Sequence, residues 1–238
     1  MNLDTLDQAF EALKTYDWGA DRNALSPLDE AVLATREDAT ARQALEARLA
    51  AVLATNVSRD AKDVVCRLLM IVGTAASVPA LAALLADEQL AHMARYALER
   101  IPVPEAAHAM REAMTQLSGK LRVGVIGSLG VRRDAESVPA LAALLGDGDP
   151  AVACAAAYAL GDVRTPEAAE ALAKSNAASA EAKRATTDAS FACAEKLLAD
   201  GKRAEALAVY KRFANDDQPK HVKLAATRGI LACAGQSQ

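Results

Sequence analysis

Aromatic residues and long apolar runs are both scarce in this sequence. Phe, Trp and Tyr make up 3% of its 238 residues, and no apolar stretch approaches the roughly 18 residues of a membrane-spanning helix. The first residues include Asp4 and Asp7, whereas a secretory signal peptide begins with basic residues. We therefore expect a cytoplasmic protein without a membrane partner, and an exported form only if the first Met replaces a removed signal peptide.

Positive charge, cysteine and histidine are also in short supply. The formal net charge is −4 and the pI is about 5.5, so the chain as a whole does not attract nucleic acid or anionic lipid, which bind clustered Lys and Arg. The four cysteines include no Cys-x-x-Cys pair, and there are three histidines, a pattern that indicates no zinc or redox motif. We expect reduced thiols in the core, no metal, no cofactor and no nucleic-acid partner.

The sequence does contain many small apolar residues and an internal repeat. Apolar residues make up 52% of the chain, and the dominance of Ala and Leu favours closely packed helices over sheets. The nine residues at 77–85 recur unchanged at 137–145, 60 positions later. Repeats with periods of about 20–50 residues, or multiples of them, are typical of solenoids. The offset of 60 residues therefore corresponds to two repeat units.

The length of one unit follows from the second helix of each. The similar segments at 96–98, 127–129 and 158–160 are 31 residues apart. Each unit has Pro near the start of an apolar first helix, a polar turn, and a second helix that ends near Gly. Proline is tolerated in the first turn of a helix and glycine suits the C-terminal cap, so the pattern predicts helix-turn-helix units of this length.

One unit carries a family resemblance. Residues 138–152, Val-Pro-Ala-Leu-Ala-Ala-Leu-Leu-Gly-Asp-Gly-Asp-Pro-Ala-Val, followed by Ala-Ala-Tyr-Ala-Leu-Gly at 156–161, resemble a HEAT repeat of the short bacterial, phycobilisome-lyase-like type. The likeness extends more loosely over residues 39–175. It implies an all-α fold, a right-handed α-α solenoid (superhelix) of about seven antiparallel helix pairs.

We interpret the whole chain, residues 1–238, as a single HEAT-like solenoid domain. Its parts are N-terminal capping helices in 1–38, regular repeats in 39–175 and looser C-terminal repeats in 176–238. Outside the regular part, helices are predicted at 3–16, 27–35, 180–199, 202–214 and 219–234. The last of these carries apolar residues, and if no following unit covers them, an exposed face and end-to-end self-association are predicted.

Residue patterns that would indicate catalysis are not found. Deoxyhypusine hydroxylases, which are HEAT-like enzymes, hold iron through His-Glu dipeptides, and this sequence has none. HEAT-like alkylpurine DNA glycosylases need a basic groove with aromatic residues, but Trp18 is predicted to lie in a loop outside the repeats. The spaced glycines Gly124, Gly127 and Gly130 follow no strand, so they predict close helix approach or a weakened helix instead of a phosphate loop.

The candidate binding residues lie at equivalent positions of the second helices. Aligning these helices places six residues in one row: Met70, Tyr96, Gly127, Tyr158, Asp188 and Arg228. In the HEAT pattern this position is usually polar and faces the concave side. A row one turn earlier includes His92. Tyr96 and Tyr158, with His92, Asp188 and Arg228, are therefore predicted to form a contact ridge, since Tyr and Arg are favoured binding anchors; the alternative is that both tyrosines only pack between helices.

These observations favour a non-enzymatic interaction or scaffold module that binds a protein or peptide on its concave helix surface. The alternative is a bilin-lyase-like accessory, or another enzyme-associated HEAT protein, with a ligand pocket in that surface. A deep pocket that contains Tyr96, Tyr158 and His92 with a buried charged pair would favour the alternative. A shallow groove would favour the interaction module.

Overall fold

The computed structural model describes residues 3–235, and within that range all regular secondary structure is helical. The chain divides into two compact units, Met1–Ser128 and Leu129–Gln238. The prediction of an all-α, HEAT-like solenoid of helix pairs is confirmed. The interpretation of the chain as one domain stays a prediction.

The first unit contains seven complete helices and most of an eighth. They are α1 (Leu3–Leu13), α2 (Ser26–Ala34), α3 (Ala39–Leu53), α4 (Arg59–Val72), α5 (Val78–Ala82), α6 (Ala91–Arg100), α7 (Pro104–Gln116) and α8 (Gly119–Val131), whose last residues belong to the second unit. The first helices α3, α5 and α7 pack in succession, as do the second helices α2, α4 and α6. This stacking is the solenoid arrangement that the repeat predicted.

The second unit repeats the same plan. Its helices are α9 (Val138–Leu144), α10 (Pro150–Val163), α11 (Pro166–Ala173), α12 (Ala180–Ala199), α13 (Arg203–Arg212) and α14 (Lys220–Gly235). The first helices α9, α11 and α13 pack in succession, and so do the second helices α10, α12 and α14. Helix α12 has the bounds expected from the sequence, because Ser179 caps its start through a hydrogen bond from the Ala182 backbone N–H.

The duplicated nine residues bury the same side chains in both copies. Ser, Val and three Leu residues are buried in each, namely Ser77, Val78, Leu81, Leu84 and Leu85 in one and Ser137, Val138, Leu141, Leu144 and Leu145 in the other. The α-helical part is short, with five residues in α5 and seven in α9. After α5 the chain tightens, since the Leu84 N–H bonds to the Leu81 carbonyl and the Leu85 N–H bonds to the Ala82 carbonyl, which is the pattern of a 3₁₀ turn.

Acidic residues at two of the turns accept hydrogen bonds from backbone N–H groups. The Asp87 carboxylate accepts hydrogen bonds from the backbone N–H groups of Gln89 and Leu90, at 2.8 and 3.2 Å. Asp149 accepts one from the Ala151 N–H at 2.9 Å, at the start of α10. Asp149 thus caps the start of α10, whereas Asp87 stabilises the turn that leads into α6, so both carboxylates have structural roles.

Candidate functional site

Four side chains of the predicted ridge are exposed, and each lies on a different second helix. Tyr96 on α6 is 41% exposed and Tyr158 on α10 is 53% exposed. Asp188 on α12 and Arg228 on α14 are exposed as well. We call these four residues the second-helix row. Tyr96 belongs to the first unit and the other three belong to the second.

In the first unit, Tyr96 lies beside two other polar side chains. The ring centroids of His92 and Tyr96 are 6.5 Å apart, and the Arg100 guanidinium lies 5.7 Å from the centre of the Tyr96 ring. His92 and Tyr96 also border a cavity of about 140 Å³, lined in part by Asp63 and Arg67 of α4. The structure therefore brings His92 and Tyr96 together, as the sequence predicted.

A polar network beneath Tyr96 was missed by the sequence reasoning. The guanidinium of Arg95 donates to the Gly124 carbonyl at 2.9 Å and to the Ser128 hydroxyl at 3.2 Å. That hydroxyl in turn donates to the Glu99 carboxylate at 2.7 Å. Burial lowers the pKa of the Arg95 guanidinium and Glu99 opposes that shift. The available signal was the pair Arg95 and Glu99, four residues apart on a helix otherwise rich in apolar residues.

The spaced glycines of α8 have three different surroundings. A Cβ atom on Gly124 would lie 2.6 Å from the Cζ atom of Arg95, so this glycine makes room for the guanidinium. A Cβ atom on Gly130 would lie 2.8 Å from the Cα atom of Ala159, whereas one on Gly127 would meet nothing within 4 Å. The expected close helix approach is thus confirmed at Gly130 alone.

In the second unit, Tyr158 projects from a helix that packs closely on its neighbour. Three residues after Tyr158, a Cβ atom on Gly161 would lie 2.9 Å from the Cα atom of Ala189 on α12. Helices α10 and α12 therefore meet backbone to backbone at this point. This contact leaves the large Tyr158 side chain outside the helix interface.

Asp188 lies in a cavity with a basic border. The cavity has a volume of about 260 Å³ and is bordered by Lys183, Arg184 and Asp188 of α12 and by His221 near the start of α14. The Arg184 guanidinium lies 3.8 Å from the Glu181 carboxylate, and both side chains are exposed. An exposed ion pair of this kind contributes little free energy, so it does not hold Arg184 away from another acidic group.

Arg228 borders the largest of these cavities, about 470 Å³, between α12, α13 and α14. Its wall includes Phe191 and Tyr210, whose ring centroids are 5.9 Å apart. Tyr210 is buried, and burial together with the nearby Glu195 raises the pKa of its hydroxyl. A Cβ atom on Gly229 would lie 2.3 Å from the Tyr210 ring, so the absence of a side chain there lets the ring lie against α14.

Helix α14 also exposes apolar side chains, as the sequence predicted. Leu224 and Leu231 are 53% and 65% exposed, and residues seven apart lie on the same face of a helix. Neither leucine borders the cavity at Arg228. Self-association through this face stays a prediction.

Three of the four thiols lie in the core, as the sequence predicted, whereas Cys154 is half-buried, and Trp18 lies in a loop as predicted. All four cysteines are free, and Cys66, Cys193 and Cys233 are buried. Burial raises the pKa of the Cys66 thiol to about 12 and that of the Cys193 thiol to about 11, so both are protonated at neutral pH. Trp18 lies in a turn and is 90% exposed.

Residues 3–235 contain neither a metal-binding cluster nor a membrane-spanning helix. That part of the chain has no group of three or more His, Cys, Asp or Glu side chains arranged to hold a metal ion. None of its helices combines the length and apolarity that crossing a bilayer requires.

Comparison with known families identifies the repeats. Residues 107–192 match the family model for HEAT repeats, and this range contains the unit at 138–161 on which the resemblance was based. No curated protein matches the sequence. The repeats in this part of the chain are therefore HEAT repeats.

Solved structures with similar folds have low sequence identity to the chain. Lipovitellin, from a study of its lipid-protein interactions, is 16% identical with a TM-score of 0.61, and the match covers 98% of this chain and 27% of that one. A designed armadillo repeat protein is 16% identical with a TM-score of 0.43 over 96% and 99% of the two chains. Human deoxyhypusine hydroxylase is 18% identical with a TM-score of 0.39 over 98% and 97%. The lipovitellin match shows a shared helical fold. This chain spans about a quarter of the length of the lipovitellin chain.

Proposed function

We propose that the protein is a non-enzymatic interaction module that binds a protein or peptide partner through the exposed faces of its second helices. The observation that carries the proposal is the second-helix row, in which large or charged side chains project at equivalent positions. Tyr96 and Tyr158 are both substantially exposed, and exposed Tyr and Arg side chains are frequent anchors of protein interfaces.

The cavity at Tyr96 supports an interaction module over a ligand-holding accessory. Its volume of about 140 Å³ is below the roughly 300 Å³ at which small-molecule pockets begin. The charged pair nearest to it, Arg67 with Asp63 at 2.9 Å, has an exposed arginine. A chromophore site of the bilin-lyase kind would need a larger cavity and a buried charge.

The proposal is tested by capture of partners from native cell extract with the immobilised full chain. We expect the double variant Tyr96→Ala/Tyr158→Ala to lose the partners that the wild-type chain retains, because truncating two aromatic anchors removes roughly 2 kcal/mol or more of binding free energy. Trp18→Ala is the matched control, since it also removes an exposed aromatic ring but lies outside the second helices.

Capture is quantified by mass spectrometry after circular dichroism has shown equal helix content for all three proteins. Undiminished capture by the double variant would contradict the proposal. Equal loss with Trp18→Ala would contradict it as well, because the second helices would then have no special role.

A further inference from the structure

We infer that the groove between α12 and α14 binds an extended peptide segment in which an acidic and an apolar side chain lie about four residues apart. This inference rests on the proposed function and specifies the chemistry of the partner. It is carried by the two cavities along these helices, one with a basic border and one with an aromatic wall.

The two cavities lie in sequence along one groove. The first is bordered by Lys183 and Asp188 of α12 and by Val222 of α14, whereas the second is bordered by Leu198 of α12 and Ala232 of α14. Earlier residues of both helices border the first cavity and later residues of both border the second. Helices α12 and α14 therefore run in the same direction on either side of the groove.

The first cavity is suited to a carboxylate. Two of its side chains, Lys183 and Arg184, are cationic, and a third, His221, can donate a hydrogen bond. One carboxylate, that of Asp188, faces them. Lys223 is engaged by Asp216 at 2.7 Å. The pair of Arg184 with Glu181 at 3.8 Å is exposed and weak, so Lys183, Arg184 and His221 are the groups that a ligand carboxylate would contact.

The second cavity is suited to an apolar side chain. Phe191, Leu198 and the buried Tyr210 provide its wall, and Ala225 and Ala232 leave it open on the side of α14. Its volume of about 470 Å³ accommodates a Leu, Phe or Trp side chain, and burial of such a side chain is the usual source of affinity at an anchor position. Arg228 and Glu195 at the border provide polar contacts to a peptide backbone.

The separation of the cavities sets the spacing of the two anchors. Averaged over the α12 and α14 sides of the groove, the middle of the first set of lining residues and the middle of the second are roughly nine residues apart, which is about 14 Å at the helical rise. An extended peptide covers about 3.3 Å per residue, so about four residues separate the acidic and the apolar side chain. A helical peptide would need roughly nine residues for the same distance, and the test distinguishes the two.

The inference is tested by panning a phage-displayed library of random peptides, about twelve residues long, against the immobilised full chain. We expect enrichment of peptides in which Asp or Glu lies about four residues from Leu, Phe or Trp, on either side. A selected peptide is then synthesised with a fluorophore, and its affinity is measured by fluorescence polarisation with the wild-type chain and with groove variants.

Each cavity has a variant and a matched control. Lys183→Glu/Arg184→Glu reverses the basic border, and Arg36→Glu/Lys120→Glu makes the same change in net charge at exposed positions of the first unit. Ala232→Leu fills the second cavity, and Ala234→Leu adds the same side chain at an exposed position that does not border it. We expect each groove variant to weaken binding about tenfold or more, as for the loss of one good contact, and each control to bind like the wild type.

Any of four results would overturn the inference. Three of them are no enriched peptide, enriched peptides without the acidic residue, and groove variants that bind as tightly as their controls. Selection of the two anchors about nine residues apart would also overturn it, because the bound peptide would then be helical. The proposed function is tested separately by the tyrosine double variant, so tyrosine-dependent capture together with any of these results would leave that function standing and remove the groove.

Discussion

The two units hold their second helices together in different ways. In the first unit, Glu99 lies three residues after Tyr96 and accepts a hydrogen bond from Ser128, while Arg95 donates to the backbone of α8. In the second unit, the equivalent residue after Tyr158 is Gly161, and α12 approaches until a Cβ atom there would lie 2.9 Å from the Cα atom of Ala189. Side chains bridge one interface, whereas backbones meet at the other.

The comparison shows that one repeat pattern allows two kinds of helix interface. The residue three positions after the row decides between them, because a glycine lets the next helix approach and a longer side chain keeps it away. A polar bridge then has to satisfy the groups that remain buried. Three sets of variants test this difference between the units, beginning with the largest expected effect.

The variant Gly161→Leu should break the second interface. A large side chain cannot fit where a Cβ atom alone already meets Ala189 at 2.9 Å, so we expect the free energy of unfolding to fall by about 3 kcal/mol or more, at the upper end for an overpacked core. Urea unfolding measures the loss, and hydrogen exchange should place it in α10 and α12. Gly127→Ala is the control and should stabilise the chain by about 0.5–1 kcal/mol, since its Cβ atom meets nothing within 4 Å. A Gly161→Leu variant as stable as the wild type would remove the backbone contact from the comparison.

Alkaline pH should lower the free energy of unfolding through one buried thiol in each unit. The difference between the units should then lie in their helix interfaces and not in their buried thiols. The Cys66 thiol has a pKa of about 12 in the fold against an ordinary 9.0, so the unfolded chain loses this proton first as the pH rises. The stability that depends on the protonated thiol is complete below pH 9 and is lost between pH 9 and pH 12. For this thiol we expect a loss of about 2–3 kcal/mol by pH 11.

The measurement is urea unfolding under reducing conditions at pH 8 and at pH 11. Cys66→Ala should lose less stability between these two pH values than the wild type, and Cys193→Ala, which alters the second unit, should behave similarly because burial raises the pKa of that thiol to about 11. The other groups that titrate between these pH values are the same in all three proteins, so their contribution cancels when the losses of stability are compared. Equal losses in the wild type and in Cys66→Ala would contradict the prediction.

The variant Arg95→Ala should weaken the first interface without affecting the second. Removal of the guanidinium leaves the Gly124 carbonyl and the Ser128 hydroxyl each with one hydrogen-bond donor fewer. We expect the free energy of unfolding to fall by about 2 kcal/mol. Arg67→Ala is the matched control, because Arg67 is an exposed arginine of the same unit whose ion pair with Asp63 is worth less than about 1 kcal/mol. If both variants lost the same free energy, the bridge at Arg95 would be no stronger than a surface ion pair.

Much of the fold was predictable because it depends on local sequence. The prolines, the capping Ser and Asp residues and the buried Leu positions defined the helix pairs, and the bounds of α12 were predicted without error. Helix α1 was expected to reach Tyr16 but ends at Leu13, because the next three backbone N–H groups bond three residues back in a tightening turn. Such a change of hydrogen-bond pattern leaves no clear signal in the sequence.

Less of the candidate site was predictable. The exposure of Tyr96, Tyr158, Asp188 and Arg228 follows from their position in the repeat, and the structure agrees. The groove between α12 and α14 does not follow from it, because the cavities there arise from residues of three helices, such as Phe191, Tyr210 and Ala232. These residues do not occupy equivalent positions of the 31-residue repeat, so the repeat pattern does not predict that they meet.

The sequence by itself determined the helix pairs, the period of about 31 residues, the face that each helix buries and the residues that project from the second helices. Those features depend on patterns within one unit, where the spacing of apolar residues sets which side of a helix avoids water. Only the tertiary structure decided how closely the second helices of neighbouring repeats pack. That distance depends on the side chains that two helices about 30 residues apart present to each other, as at Arg95 with Gly124 and at Gly161 with Ala189.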